Sequence, residues 1–232
     1  MKRVLIIAAL PRELEPLARA WTRRKLTAQN RTVTLWESDH AIAACAGIGS
    51  ISARIATDAA YKAANGPSGD VSLIISAGLA GGLTLDLRVA DIVQPAVVFD
   101  GVDGLSITTV QGTGTLITSG AIASAHEKES LARSGAHAVD MEAFAVADVA
   151  RVYGVPFLAI KSISDELDFK LPPLGRFISP EGQFRTGQFI LWTLLRPWCW
   201  QTVIQLGRNT SAAVHSLTQA LENTVQNHAR QP

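Results

Sequence analysis

The sequence predicts one α/β domain spanning residues 1–232, and three observations predict it. Short, continuous apolar runs of strand length recur along the chain and alternate with segments of helical periodicity. The runs end in small or turn-forming residues that lead into helices, which is the punctuation of βα units. A chain of 232 residues with 47% apolar and 18% charged residues is long and apolar enough to bury a large core.

In chain order, Arg3 to Leu10 is an apolar strand, and Pro11-Arg-Glu-Leu-Glu opens a helix, with proline at a favoured first position. Glu13 follows one turn into that helix; an acid there complements the helix dipole without further function. Thr32–Ser38 and Ala41–Ala46 are strands joined by a turn at Ser38-Asp-His40. Gly47-Ile48-Gly49 precedes a helix from Ile51 to Ala64; two glycines there make a tight turn or let a ligand approach the helix amides. Within Asp70–Leu83 a buried strand, Val71–Ser76, enters a glycine-rich turn. A strand begins at Ala90-Asp-Ile-Val93, Asp100–Gly114 is a polar loop, Thr115–Ser119 is a strand, and Glu127–Ser134 is a short helix.

Ala138–Glu166 reads as one helix followed by one strand. Ala143, Val146, Ala147, Ala150 and Val152 fall at roughly helical spacing, Gly154 is a left-handed stop, and Pro156 follows it. Phe157–Ile160 is a buried strand ending in Ser162-Ile-Ser-Asp165. Asp140 and Glu142 then sit at the helix start, and Asp165 sits just past a strand, where ligands of open α/β sheets bind. Acids in these places also serve as dipole partners and caps. Further on, the Leu- and Trp-rich segment 188–206 is split by Pro197 into two helical pieces. An amphipathic helix follows from Ser211 to Val225, and the tail NHARQP frays. The apolar segment is core, subunit interface, or a surface for a greasy substrate or membrane.

Composition narrows the function classes. A net charge of +1 gives no electrostatic case for nucleic acid. Two distant cysteines form no metal spacing or disulfide framework and fit a reducing cytoplasm, and none of the five histidines pairs at metal-ligand spacing. The N-terminal apolar run is too short for a secretory signal, and no apolar stretch is long enough to span a membrane. No GxGxxG opens a helix after the first strand, which argues against a dinucleotide-dependent oxidoreductase.

VDMEA at Val139–Ala143, with SISD at Ser162–Asp165 about twenty residues on, resembles the paired signature of the purine nucleoside phosphorylase/nucleosidase superfamily. Within it the motifs resemble those of 5′-methylthioadenosine/S-adenosylhomocysteine nucleosidase and its hopanoid-associated relatives. Ala80-Gly-Gly-Leu83 and Gly47-Ile48-Gly49 resemble further family turns, and ADIV resembles GDIV with Ala90 in place of glycine. The resemblance implies a three-layer α/β/α domain with a central mixed, partly barrel-like sheet, and a closed homo-oligomer.

It also implies cleavage of the N-glycosidic bond of an adenosyl nucleoside. Asp165 would be the general acid at purine N7, a role that needs a proton held near neutrality. Glu142 would take the ribose hydroxyls and stabilise the oxocarbenium ion, and Glu13 would be the base for the attacking water. Met141, Asp140, Ser164, Gly78, Ala80, Gly81, Ile48 and Gly49 would form the substrate site, with Met141 packed under the sugar. No metal or cofactor is implied, and phosphate is a co-substrate only for a phosphorylase. The family commonly has a hydroxyl where this chain has Leu79. That, with Glu13, favours water over phosphate, although Arg12, Arg54 and Arg88 supply cations. The family's longer excursion before Thr115 is missing, which implies an open 5′ pocket. With the Trp-rich segment this fits a bulky, lipid-like 5′ group as in adenosylhopane, and a peripheral membrane contact. The alternatives are a phosphate-dependent phosphorylase and a non-catalytic nucleoside-binding module.

Overall fold

The computed structural model describes residues 3–64 and 71–230, so the Asp70 start of one expected segment and the last two tail residues lie outside it. Its strands and helices in order are β1 (Arg3–Ala8), α1 (Pro11–Leu14), β2 (Thr22–Ala28), β3 (Arg31–Glu37), β4 (Ala41–Cys45), α2 (Ser50–Ala64) and β5 (Val71–Gly82). Then come β6 (Ile92–Val93), β7 (Val97–Asp100), β8 (Ser106–Thr108), β9 (Thr115–Thr118), α3 (Ala125–Ala132) and β10 (Ala138–Asp140). The chain closes with α4 (Ala143–Val152), β11 (Phe157–Asp165), α5 (Thr186–Leu194) and α6 (Trp200–Ala229), with 3₁₀ turns at Leu174–Phe177 and Pro197–Cys199.

All eleven strands belong to one mixed sheet, ordered β2-β3-β4-β1-β5-β10-β9-β7-β8, with β11 joining β5 to β6. Alternation along β1 shows why layers form on both faces. Leu5 and Ile7 pack toward α2 and α4, whereas Val4, Ile6 and Ala8 pack toward Leu14 of α1 and Leu217 and Leu221 of α6. The result is the three-layer α/β/α arrangement that the resemblance implies.

The long strand β5 organises the sheet. Its first half runs parallel to β1, with Ile7 opposite Ser76, and β11 runs parallel along its other side, from Phe157 opposite Ile74 to Asp165 opposite Gly81. Near its end β10 pairs with it antiparallel, Val139 opposite Gly81. Three strands therefore end against residues 76–82. The expected turn after Ser76 is in fact a continuing strand, bent at Gly78, whose φ of +139° few other residues adopt.

Other boundaries also move. Ala138–Asp140 is a strand and not the start of the helix, because it pairs with both β9 and β5. β11 runs through Asp165, so that acid is the last residue of the strand and not just past it. The polar stretch after Asp100 contains β8, an exposed strand on the sheet edge. α6 is one helix of 30 residues beginning at Trp200, and it carries the expected tail residues Asn227–Ala229. Gly154, at φ +65°, ends α4 as expected.

Candidate active site

The β1–α1 junction supplies the first acid. α1 is only four residues long, and Glu13 folds back so that its Oε2 accepts the amides of Ala9 at 3.1 Å and Leu10 at 3.0 Å. The carboxylate is buried, and desolvation raises its pKa above the ordinary carboxylate range against the pull of those amides and of Arg12 and Lys161.

The β10–α4 junction supplies the next two. Asp140 ends its strand with both oxygens engaged. The Thr118 hydroxyl donates to Oδ1 at 2.7 Å, the Ala143 amide donates to Oδ2 at 2.8 Å, and Lys161 Nζ pairs with Oδ2 at 2.8 Å. Asp140 thus caps α4 and anchors a buried cation, leaving little capacity for a ligand. Glu142 at the helix start accepts the Gly49 amide at 2.8 Å. Burial, then the neighbouring Asp140 charge, pushes its pKa up to about 7.

Asp165 closes β11. The Ser164 hydroxyl donates to its Oδ1 at 2.6 Å, and Lys128 of α3 forms an ion pair with Oδ2. The carboxyl is 5% exposed, and Lys128 is 1% exposed. Asp165, expected only as a general acid, is also half of a buried ion pair, a partner that the sequence does not name.

These groups share one cavity of about 430 Å³, within the range of small-molecule sites. Glu13, Asp140, Met141, Glu142, Ser164 and Asp165 all line it, as do Ile48, Ala80, Gly81 and Leu79. Gly78 and Gly49 do not. Gly78 sits behind the acids, where a methyl would lie 3.6 Å from Lys161 Nζ and 3.7 Å from Glu13 Oε2. Gly49 is turned toward Glu142, so the amide imagined for a ligand serves a carboxylate of the protein. Of the three candidate arginines, Arg12 lines the cavity, whereas Arg54 pairs with Asp148 and Arg88 with Glu166. The far wall is apolar and comes from Leu171, Leu174, Phe184 and Phe189 together with Val203 and Leu206 of α6.

Sequence reasoning passed over Lys128 and Lys161, and each left a trace. Lys161 interrupts the apolar run FLAIKSIS, and a charge in a doubly buried strand must be paired. Lys128 lies in the first turns of a helix capped by Ser124, at the end where the dipole disfavours a cation.

Residues 3–113 and 102–174 match the family model described as the phosphorylase superfamily. No curated protein sequence matches the chain. Among solved structures, futalosine hydrolase of Helicobacter pylori superposes with a TM-score of 0.70 at 17% identity, covering 97% of this chain and 98% of that one. 5′-Methylthioadenosine nucleosidase of Arabidopsis thaliana gives 0.73 at 17%, covering 100% and 97%. 5′-Methylthioadenosine/S-adenosylhomocysteine nucleosidase of H. pylori with butyl-thio-DADMe-Immucillin-A gives 0.69 at 17%, covering 98% and 99%. At these identities the likeness is one of fold.

Proposed function

Because the chain belongs to the phosphorylase superfamily, we propose that it cleaves the N-glycosidic bond of an adenosyl nucleoside and releases adenine, with water as the nucleophile. The observation that carries this reading is the placing of Glu13, Glu142 and Asp165 around one cavity, each at or shortly past the end of a strand that meets β5. Asp165 protonates the leaving purine at N7. Glu142 faces the ribose, where a carboxylate favours the developing oxocarbenium ion. Glu13, fixed by two amides, takes the proton of the attacking water.

Water is preferred to phosphate because the base side of the cavity carries a carboxylate and Leu79, and because Lys161 is already neutralised by Asp140. Arg12 on the lining is the one observation that favours phosphorolysis. The 5′ substituent is read as large and apolar, as in an adenosyl lipid, from the wall of Phe184, Phe189, Val203 and Leu206.

The deciding experiment measures adenine release from 5′-methylthioadenosine, S-adenosylhomocysteine and a 5′-alkyl adenosine, each with and without phosphate. Phosphate-independent release, fastest on the alkyl compound, is expected. Strict dependence on phosphate would make the protein a phosphorylase and assign Arg12 to the anion. Affinity without release, with Asp165→Asn lowering the affinity only, would make it a binding module.

A further inference from the structure

Lys128 is among the most completely buried large side chains of the protein, and its ammonium makes three contacts. It forms the ion pair with Asp165 Oδ2, and it donates to the main-chain oxygens of Asp165 at 3.3 Å and Glu166 at 2.8 Å. Three acceptors match the three N–H groups of an ammonium and leave no donor for a ligand. Every contact falls on the end of β11. On the opposite oxygen, Oδ1, sits the Ser164 hydroxyl. The carboxyl plane of Asp165 is thus clamped from both sides.

The backbone makes room for this clamp. A methyl at Gly81 would lie 2.9 Å from Lys128 Cε and 3.1 Å from Asp165 Oδ2. Gly81 therefore leaves room for the lysine beside the acid, and a side chain there would press on both.

We propose that Lys128 is a positioning residue for the leaving-group half of the reaction, holding the Asp165 carboxyl toward the purine and stabilising the carboxylate left when its proton departs. This rests on the reading of Asp165 as the acid. In the step, the C1′–N9 bond breaks with its electron pair passing to the base. A protonated Asp165 gives its O–H proton to N7, which leaves the carboxylate that pairs with Lys128, and the incoming water bonds C1′ and gives a proton to Glu13. Exchange with solvent then returns one proton to Asp165 and removes one from Glu13. The Lys128 ammonium keeps its own proton throughout, and its charge offsets the new carboxylate in a site shielded from water.

The test compares two leaving groups in the same protein preparation, so that partial misfolding cancels. One substrate is 5′-methylthioadenosine; the other carries 4-nitrophenolate in place of adenine and leaves without protonation. Lys128→Met and Gly81→Ala are each expected to slow adenine release about 100-fold more than nitrophenolate release, as loss of general-acid catalysis does. Asp165→Asn is the reference and should show the same selectivity. Equal slowing of both substrates by Lys128→Met, with Asp165→Asn still selective, would overturn the role of Lys128 and leave the acid assignment standing. An unselective Asp165→Asn, or a wild type that releases neither group, would overturn the assignment of the acid and the proposal with it.

Discussion

At the residue scale the cavity is a set of charges that burial makes conditional. Glu13 and Glu142 both work as carboxylates in the proposed reaction, and both have raised pKa values. Activity is therefore lost as pH falls through the raised values, and kcat/KM should rise across an inflection near 7 assigned to Glu142. Replacing Glu13 with Gln is expected to cost about 10²–10⁴-fold in kcat, measured as adenine release. Stability runs the other way. A carboxyl whose folded pKa lies above its unfolded one stabilises the fold below the unfolded value and loses that contribution as pH rises through the folded one. With Glu142 moved from an ordinary 4.5 to about 7, Glu142→Gln should gain up to about 3 kcal/mol at pH 8 relative to pH 5 in denaturant titrations. No pH-dependent gain would show that Glu142 is solvated in the free protein.

At the element scale, strain and packing set the stakes. Ala90 stands at φ +74°, where the related turn carries glycine. Ala90→Gly should raise stability by about 0.5–1 kcal/mol in urea unfolding, since the relieved steric cost exceeds the added chain entropy. Leu217 is fully buried between α6 and the sheet, and Leu217→Ala should cost about 2–5 kcal/mol. The elements legible in the sequence were those whose burial shows as a pattern: β1, β3, β4, α2 and the core of α4. β2 was missed because TRRKLTA is largely exposed and has no apolar alternation, and its strand state comes from pairing with β3. α6 was read as two pieces because Gly207-Arg-Asn-Thr-Ser211 carries weak helix formers, yet Val203 and Leu206 on the cavity wall continue the face that buries Leu217 and Leu221. The acids were found because they lie at or shortly past strand ends. Their lysine partners were not, because a lysine inside an apolar run or near a helix start does not say which acid it meets across α3, β10 and β11.

At the scale of the whole molecule, one surface stands out. Ile190, Leu191 and Leu194 of α5 and the adjacent Leu195 and Trp198 are all more than half exposed. No helix among the described residues is long and apolar enough to cross a membrane. The reading carried from the sequence is a homo-oligomer that covers this face. Light scattering should then give a mass above the 24.7 kDa of one chain, and Leu191→Glu with Leu195→Glu should reduce it to that value. A wild-type monomer that floats with phospholipid vesicles would assign the face to lipid instead.

The 30 residues of α6 make a rod about 45 Å long. One end forms part of the cavity wall at Val203 and Leu206, and the other half is pinned in the core at Leu217 and Leu221. A compound wedged against the near end bears on the same rigid body that closes the fold. Occupancy is therefore reported as melting temperature, with a ligand at 100 times its Kd adding about 2.7 kcal/mol. A panel of 5′-substituted adenosines can be ranked by thermal shift alone, which makes the chain its own assay for the substituent it was shaped to hold.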